Sequence, residues 1–307
     1  MKKAKWDLIT VVGPTASGKT ELAVAIADHI GSELISADSR QVYRRMDIGT
    51  GKDLSAYQIN DRQVSYHLID ICEPGEKYNV FEYQQDFFHV YEKLRTEGKI
   101  PVLCGGTGMY VEAVLRGYQL WEVPKNPELR RSLEGKSLTE LSYLLSKYKN
   151  LHNTTDVDTA RRAIRAIEIE EYYHRATPAR RNYTAPRSLV LGLHVEREAR
   201  RQAISRRLHS RLNEGMLAEV RRLLDEGLSA NALIYYGLEY KYLTLHLIGM
   251  VSYDTMVQQL EIAIHQFAKR QMTWFRGMER RGIPIRWIDA SLPLPEKLSI
   301  ALNEAGR

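Results

Sequence analysis

The stretch VVGPTASGKTEL, residues 11–22, restricts what this chain can fold into more than any other. Gly13, Gly18, Lys19 and Thr20 fit G-x-x-x-x-G-K-[ST]. The match follows an apolar run, WDLITVVG, and precedes a segment with helical apolar spacing at Leu22, Ala25, Ile26 and Ile30. A loop of this kind curls so that successive backbone N–H groups point inward, and the helix behind it adds partial positive charge. Gly13, Pro14, Thr15, Ala16, Ser17, Gly18, Lys19 and Thr20 therefore form a candidate phosphate cradle. Lys19 is placed to reach a terminal phosphate, and the Thr20 hydroxyl suits Mg2+. The motif points to an oligophosphate ligand and does not by itself specify ATP.

Such a loop belongs to a parallel sheet, and the surrounding sequence agrees. SELISAD, SYHLIDI and KIPVLCGG read as further strands, and VFEYQQDFFHVYEKLRTEG as an amphipathic helix stopped by Gly98. Strands and helices alternating at this spacing imply right-handed crossovers. Near Tyr118 the pattern changes, and helical periodicity without a strand continues to about Arg181. SLVLGLHVE restores a strand. Helices are expected at about 196–226, 232–248 and 254–279, and IPIRWID is strand-like. In the last helix Met256, Leu260, Ala263, Ile264, Phe267 and Trp274 share the spacing of a core face. The expected fold is α/β: a P-loop NTPase-like parallel sheet core from residues 1–118 and 187–307, with an all-helical insertion domain at 119–186.

Charge narrows the partner. The formal net charge is +6, and residues 161–211 hold thirteen arginines, no lysine and five acids. Arginine suits bidentate phosphate contacts, so this bias points to a polyanion such as RNA. No run of about 18 apolar residues occurs, which argues against a membrane span. The amino-terminal segment lacks a signal-peptide pattern, and a cytoplasmic location is expected. Two cysteines, Cys72 and Cys104, stand far apart, and nine histidines show no metal-ligand spacing. His67 reads as a hydrogen-bonded structural histidine.

Two acids lie at expected strand ends, Asp38 and Asp70, and a third strand ends in Gly105-Gly106-Thr107. The crevice at the carboxyl ends of the strands is where ligands bind in open parallel sheets. Asp38 there fits a general base, a helix cap or an outer Mg2+ ligand. A hydroxyl such as that of Thr107 can orient an attacking group.

GPTASGKT (13–20), ELISADSRQVYRRMDIGTGK (33–52), HLIDI (67–71), VLCGGTGMYVEAVL (102–115), RRAIRAIEI (161–169) and AKRQMTWFR (268–276) occur in that order along nearly the whole chain. Together they resemble the tRNA dimethylallyltransferase, or tRNA isopentenyltransferase, family. The resemblance implies transfer of a dimethylallyl group from dimethylallyl diphosphate to N6 of adenosine 37, just 3′ of the anticodon in tRNA, with diphosphate released. It implies Asp38 as the base, Thr107 as the group that orients amine or donor oxygen, Arg207 as a diphosphate ligand, and Mg2+ held by Thr20. It also implies tRNA contacts from Asp38, Ser39, Arg40 and Gln41, from Arg130, and from Arg161, Arg162 and Arg165. The partners implied are the tRNA anticodon stem-loop and the prenyl donor, and nothing in the sequence demands more than a monomer.

One stretch departs from the pattern. Gly237 is followed by Leu238 and Glu239, where relatives carry a Gly-Tyr-(Lys/Arg) step. A basic contact at Glu239 is therefore in question: either Lys241 substitutes, or the loop belongs to a subgroup with different contacts. Two other functions share the phosphate loop: an ATP-dependent small-molecule kinase, and a non-catalytic, nucleotide-gated RNA-binding protein. The helical insertion is large for a kinase lid and the arginine run suits a long polyanion, while the RNA-binding switch predicts nucleotide hydrolysis or exchange and no need for Asp38.

Overall fold

The structure is a computed structural model and describes residues 5–59, 61–149, 157–175 and 183–306. These divide into two compact units, Met1–Tyr118 with Thr184–Arg307, and Gln119–Tyr183.

The first unit is built on β1 (Leu8–Val12), whose five residues are all buried. A continuous apolar run of this length suits a strand covered on both faces. It leads through the glycine-containing loop into α1 (Lys19–His29) and then β2 (Leu34–Ser36). A long excursion follows, with a 3-10 turn at Leu54–Tyr57 and a two-residue hairpin, β3 (Gln58–Ile59) and β4 (Arg62–Gln63), before β5 (Tyr66–His67). Next come α2 (Val80–Thr96), β6 (Val102–Gly105) and α3 (Gly108–Leu115). Helix α2 begins at Asn79, whose side chain and Glu82 form a reciprocal capping box.

After the second unit the chain returns as β7 (Ser188–His194) and then α7 (Arg197–Asn213), α8 (Met216–Asp225), α9 (Ala230–Tyr235), α10 (Leu238–Leu247), α11 (Tyr253–Arg280), β8 (Arg286–Asp289) and α12 (Leu294–Ala305) once its own three helices are counted. Those three are α4 (Pro127–Leu133), α5 (Leu138–Ser146) and α6 (Ala160–Arg175). Among the described residues six strands form one sheet in the order β5-β2-β6-β1-β7-β8. All its pairings are parallel. Its core joins Ile9 and Val11 of β1 to Leu22 and Ile26 of α1 and to Ala301 and Ala305 of α12.

The expected helices at 196–226 and 232–248 each break in two. Gly215 and Gly237 have φ of +100 and +131, conformations open to glycine and strained for other residues, and each ends one helix and starts another. Helices α3 and α12 and the β3–β4 hairpin were not evident from periodicity. On α11, Met256, Leu260, Ala263 and Ile264 are buried, but Phe267 is 39% exposed. The helix turns its buried face through Ala268, Gln271, Met272 and Phe275 instead.

The second unit packs α4, α5 and α6 around Leu133, Leu141, Leu145, Ala163, Ala166 and Ile167. One buried carboxylate, Glu168, stands at its edge. It accepts from the Asn126 N–H at 2.6 Å and, through both oxygens, from Arg130 at 2.9 and 2.7 Å, with Arg165 on the same carboxylate. Burial pushes the Glu168 pKa up, but the Arg130, Asn126 and Arg165 donors outweigh it and hold it at about 2.

Candidate functional site

Sheet register lines up three loops at one edge. Val12 of β1 stands opposite Gly105 of β6, and Cys104 of β6 opposite Ser36 of β2. The phosphate loop, the Gly106–Thr107 turn and Asp38 therefore leave adjacent strands side by side. This is the carboxyl edge, where a parallel sheet offers its crevice.

In the phosphate loop Ala16 and Gly18 have positive φ, and Gly18 caps α1 without a side-chain bond, so the first helical N–H groups stay available. The Lys19 ammonium lies 3.5 Å from the Pro14 carbonyl. Burial pulls its pKa down and Arg207 and Arg211 reinforce this, while Cys104 and Asp38 oppose. The Ser17 hydroxyl is buried with no hydrogen-bond partner. A hydroxyl without a protein partner inside a cationic cradle has its proton free to donate to an anion. Arg207, on α7, donates to the Thr15 hydroxyl. Burial brings its pKa to about 10, with Arg211 one turn on adding repulsion and Glu239 and Asp38 opposing.

Asp38 sits two residues past β2. Its Oδ1 accepts from the Arg40 N–H at 2.9 Å, and residues 39–42 form a turn, so the helix-cap reading is set aside. Thr107 is its neighbour: the Thr107 hydroxyl accepts from the Ser39 N–H at 3.1 Å, and the Thr107 N–H donates to the Ala37 carbonyl at 3.2 Å. Gln41 donates through Nε2 to the Gly51 carbonyl at 3.1 Å, and the Arg40 guanidinium lies 5.7 Å from the Tyr235 ring centre. The other strand-end acid, Asp70, is spent on the buried ammonium of Lys52. His67 pairs with Glu33 at 2.7 Å, and Cys104 is buried beneath the loop, its thiol pushed up to about 11 by burial.

Several residues of this neighbourhood were given no role from the sequence, although Gln271 lies within AKRQMTWFR and Glu239 within the divergent stretch. Gln271 of α11 accepts from the Thr15 N–H at 2.8 Å and donates to the Gly106 carbonyl at 2.9 Å. A Cβ on Gly106 would overlap that amide, and one on Gly108 would overlap the Trp274 ring, so these glycines let α11 lie against the turn. Arg211 is the second α7 guanidinium at the site. Glu239, in the first turn of α10, faces both arginines. Burial pushes its pKa up, its own N–H, Arg211 and Arg207 pull it down, and Asp38 adds to the rise. The segment that departs from the family pattern thus contributes an acid to the arginine pair, not a base.

The remaining expected residues lie in the second unit. Arg130 and Arg165 converge on Glu168, Arg162 pairs with Asp158, and Arg161 is exposed. Among the described residues no group of three His, Cys, Asp or Glu side chains is arranged to hold a metal. No helix among them is long and apolar enough to cross a membrane.

A family model described as IPP transferase matches residues 41–278, and one described as Isopentenyl transferase matches residues 6–65. The chain is 64% identical to tRNA dimethylallyltransferase 1 of Parabacteroides distasonis over 97% of both chains. It is 61% identical to tRNA dimethylallyltransferase 2 of Phocaeicola vulgatus, again over 97% of each. The crystal structure of a full-length tRNA isopentenylpyrophosphate transferase from Bacillus halodurans superposes with a TM-score of 0.72 at 31% identity, covering 98% of this chain and 96% of that one.

Proposed function

The chain belongs to the tRNA dimethylallyltransferase family, and we propose that it moves the dimethylallyl group of dimethylallyl diphosphate onto N6 of adenosine 37 in tRNA, releasing diphosphate. The observation that carries this is the alignment at one sheet edge of a cationic phosphate loop with an acid–hydroxyl pair, Asp38 and Thr107.

The chemistry needs both parts. The allylic C–O bond breaks as negative charge gathers on the diphosphate, and a new C–N bond forms to N6. Loop amides, Lys19 and Arg207 meet that charge, and removing one such donor from a preorganised site typically costs about 3 kcal/mol. The exocyclic amine is a weak nucleophile because its lone pair is delocalised into the ring. Asp38 accepts the N6 proton as the bond forms, which makes attack competent. Thr107 holds the Ser39 backbone and so aims Asp38.

The donor set fits Mg2+ of the kind that phosphate loops hold. Thr20, in the first turn of α1, would hold it through its hydroxyl, a hard oxygen donor, leaving Asp38 free to act as the base. The ion's contribution there would be to neutralise charge on the diphosphate. For the tRNA, Ser39, Arg40 and Gln41 face the target adenine. Arg161 and Arg162 offer exposed charge to the anticodon stem-loop, while Arg130 and Arg165 anchor the helices that present it. The enzyme works as a monomer in the cytoplasm.

The test is to incubate the protein with Mg2+, unmodified tRNA and either labelled dimethylallyl diphosphate or labelled ATP, then to analyse the nucleosides by mass. Label in N6-isopentenyladenosine from the prenyl donor alone is expected. Phosphate release from ATP without prenylated nucleoside would refute the proposal in favour of a kinase or a nucleotide-gated switch.

A further inference from the structure

We propose that Gln271 is a positioning residue that sets the spacing between the donor loop and the acceptor loop, and so the distance over which the prenyl carbon meets the amine. This rests on the prenyl-transfer reading above. Gln271 is 7% exposed and lies midway along α11, remote in sequence from every residue assigned a chemical role. Its carbonyl takes the Thr15 N–H at 2.8 Å and its amide nitrogen gives to the Gly106 carbonyl at 2.9 Å. Each contact lies next to the chemistry. Thr15 also receives Arg207 on its hydroxyl, and Gly106 precedes Thr107, which holds Ser39 beside Asp38. Hydrogen bonds through Thr15 and Gln271, continued by the Gly106–Thr107 peptide link, thus join the diphosphate arginine to the segment bearing the acid.

A primary amide is suited to this place because it accepts from one loop and donates to the other at a fixed span. Glutamate at neutral pH only accepts, so it leaves the Gly106 carbonyl facing a like charge. Methionine fills the space and makes neither bond. Gly106 supports the assignment, since any side chain there would occupy the position of the Gln271 amide. Reacting atoms misplaced by about 1 Å lose on the order of a hundredfold in rate, so a small change of spacing is costly. Because the α11 backbone is held independently by its buried apolar face, loss of the amide shifts the loops relative to each other without removing any group that touches the donor.

The experiment compares wild type with Gln271→Met and Gln271→Glu. It measures kcat for tRNA prenylation, the Kd for inorganic diphosphate and the Kd for unmodified tRNA, with circular dichroism to monitor folding. The expected result is a fall in kcat of at least tenfold, with both Kd values within threefold of wild type. If Gln271→Met does not fold, Gln271→Asn keeps the amide, shortens its reach by one methylene and carries the same expectation. A kcat within threefold of wild type, or a diphosphate affinity that falls as far as kcat does, overturns the positioning role. Failure of the wild-type protein to prenylate tRNA overturns the underlying reading, and the positioning role with it.

Discussion

Replacing Glu168 by Gln tests how the helical unit is held together. The carboxylate is 1% exposed and shared between Arg130, at 2.7 Å, and Arg165. Its pKa falls from 4.5 to about 2 despite burial. A drop of that size, at about 1.4 kcal/mol per pKa unit, corresponds to roughly 3 kcal/mol. The pKa is depressed on folding, so this stability is fully present above the unfolded value of 4.5 and is lost as pH falls through about 2. Urea unfolding of the full chain, with hydrogen exchange read at α4 and α6, supplies the measurement. Glu168→Gln should destabilise the second unit by about 3 kcal/mol at pH 7, and the gap from wild type should shrink by more than half at pH 3. Other carboxylates titrate alike in both proteins, so the difference isolates Glu168. A gap under about 1 kcal/mol at pH 7, or one unchanged at pH 3, would refute the reasoning.

Asp38→Ala should lower kcat at least a hundredfold while leaving the Kd for inorganic diphosphate within threefold, as pre-steady-state turnover and calorimetry would show; a rate within threefold of wild type ends its assignment as base. Arg207→Ala should weaken diphosphate binding at least tenfold, and unchanged affinity would remove it from the donor site. Glu239→Gln takes a negative charge away from the Arg207–Arg211 pair, so diphosphate should bind severalfold more tightly. Weaker binding in that variant would mean that Glu239 holds the arginines in place more than it offsets their charge.

The parts of the site that share a local signal were legible. The phosphate loop announces itself by glycine spacing between a strand and a helix, and Asp38 and Thr107 by their places after apolar runs. Parallel pairing then brings them together, because neighbouring strands end at one edge. Gln271 carried no such signal: its partners are Thr15 and Gly106, far back in the chain, and a polar residue on a helix reads as solvent-facing until the turn it contacts is known. The same holds for Glu239, whose meaning depends on arginines of another helix. Asp70 looked equivalent to Asp38 because both end a strand, yet the buried Lys52 that claims it comes from the intervening excursion. Helical periodicity ran through Gly215 and Gly237 because apolar spacing resumes after each. Phe267 kept the phase of the earlier turns of α11, but the buried stripe drifts around a helix this long.

The order in which the sheet can assemble follows from its central strand. β1 is flanked by β6 and β7, and Ile9 stands opposite Val102 on one side and Leu189 on the other. A chain emerging from the ribosome has its first strand early but must wait for the whole helical unit to be synthesised before that strand gains its second neighbour. Helix α12, which packs on α1, arrives later still. Non-local pairing of this kind is slow because loop closure precedes any reward from contact. The helical unit, made of local contacts, is free to form while the sheet is still open on one flank of β1. The loop that grips phosphate is thus written first and finished late, and a chain stalled before β7 carries the motif without a completed sheet beneath it.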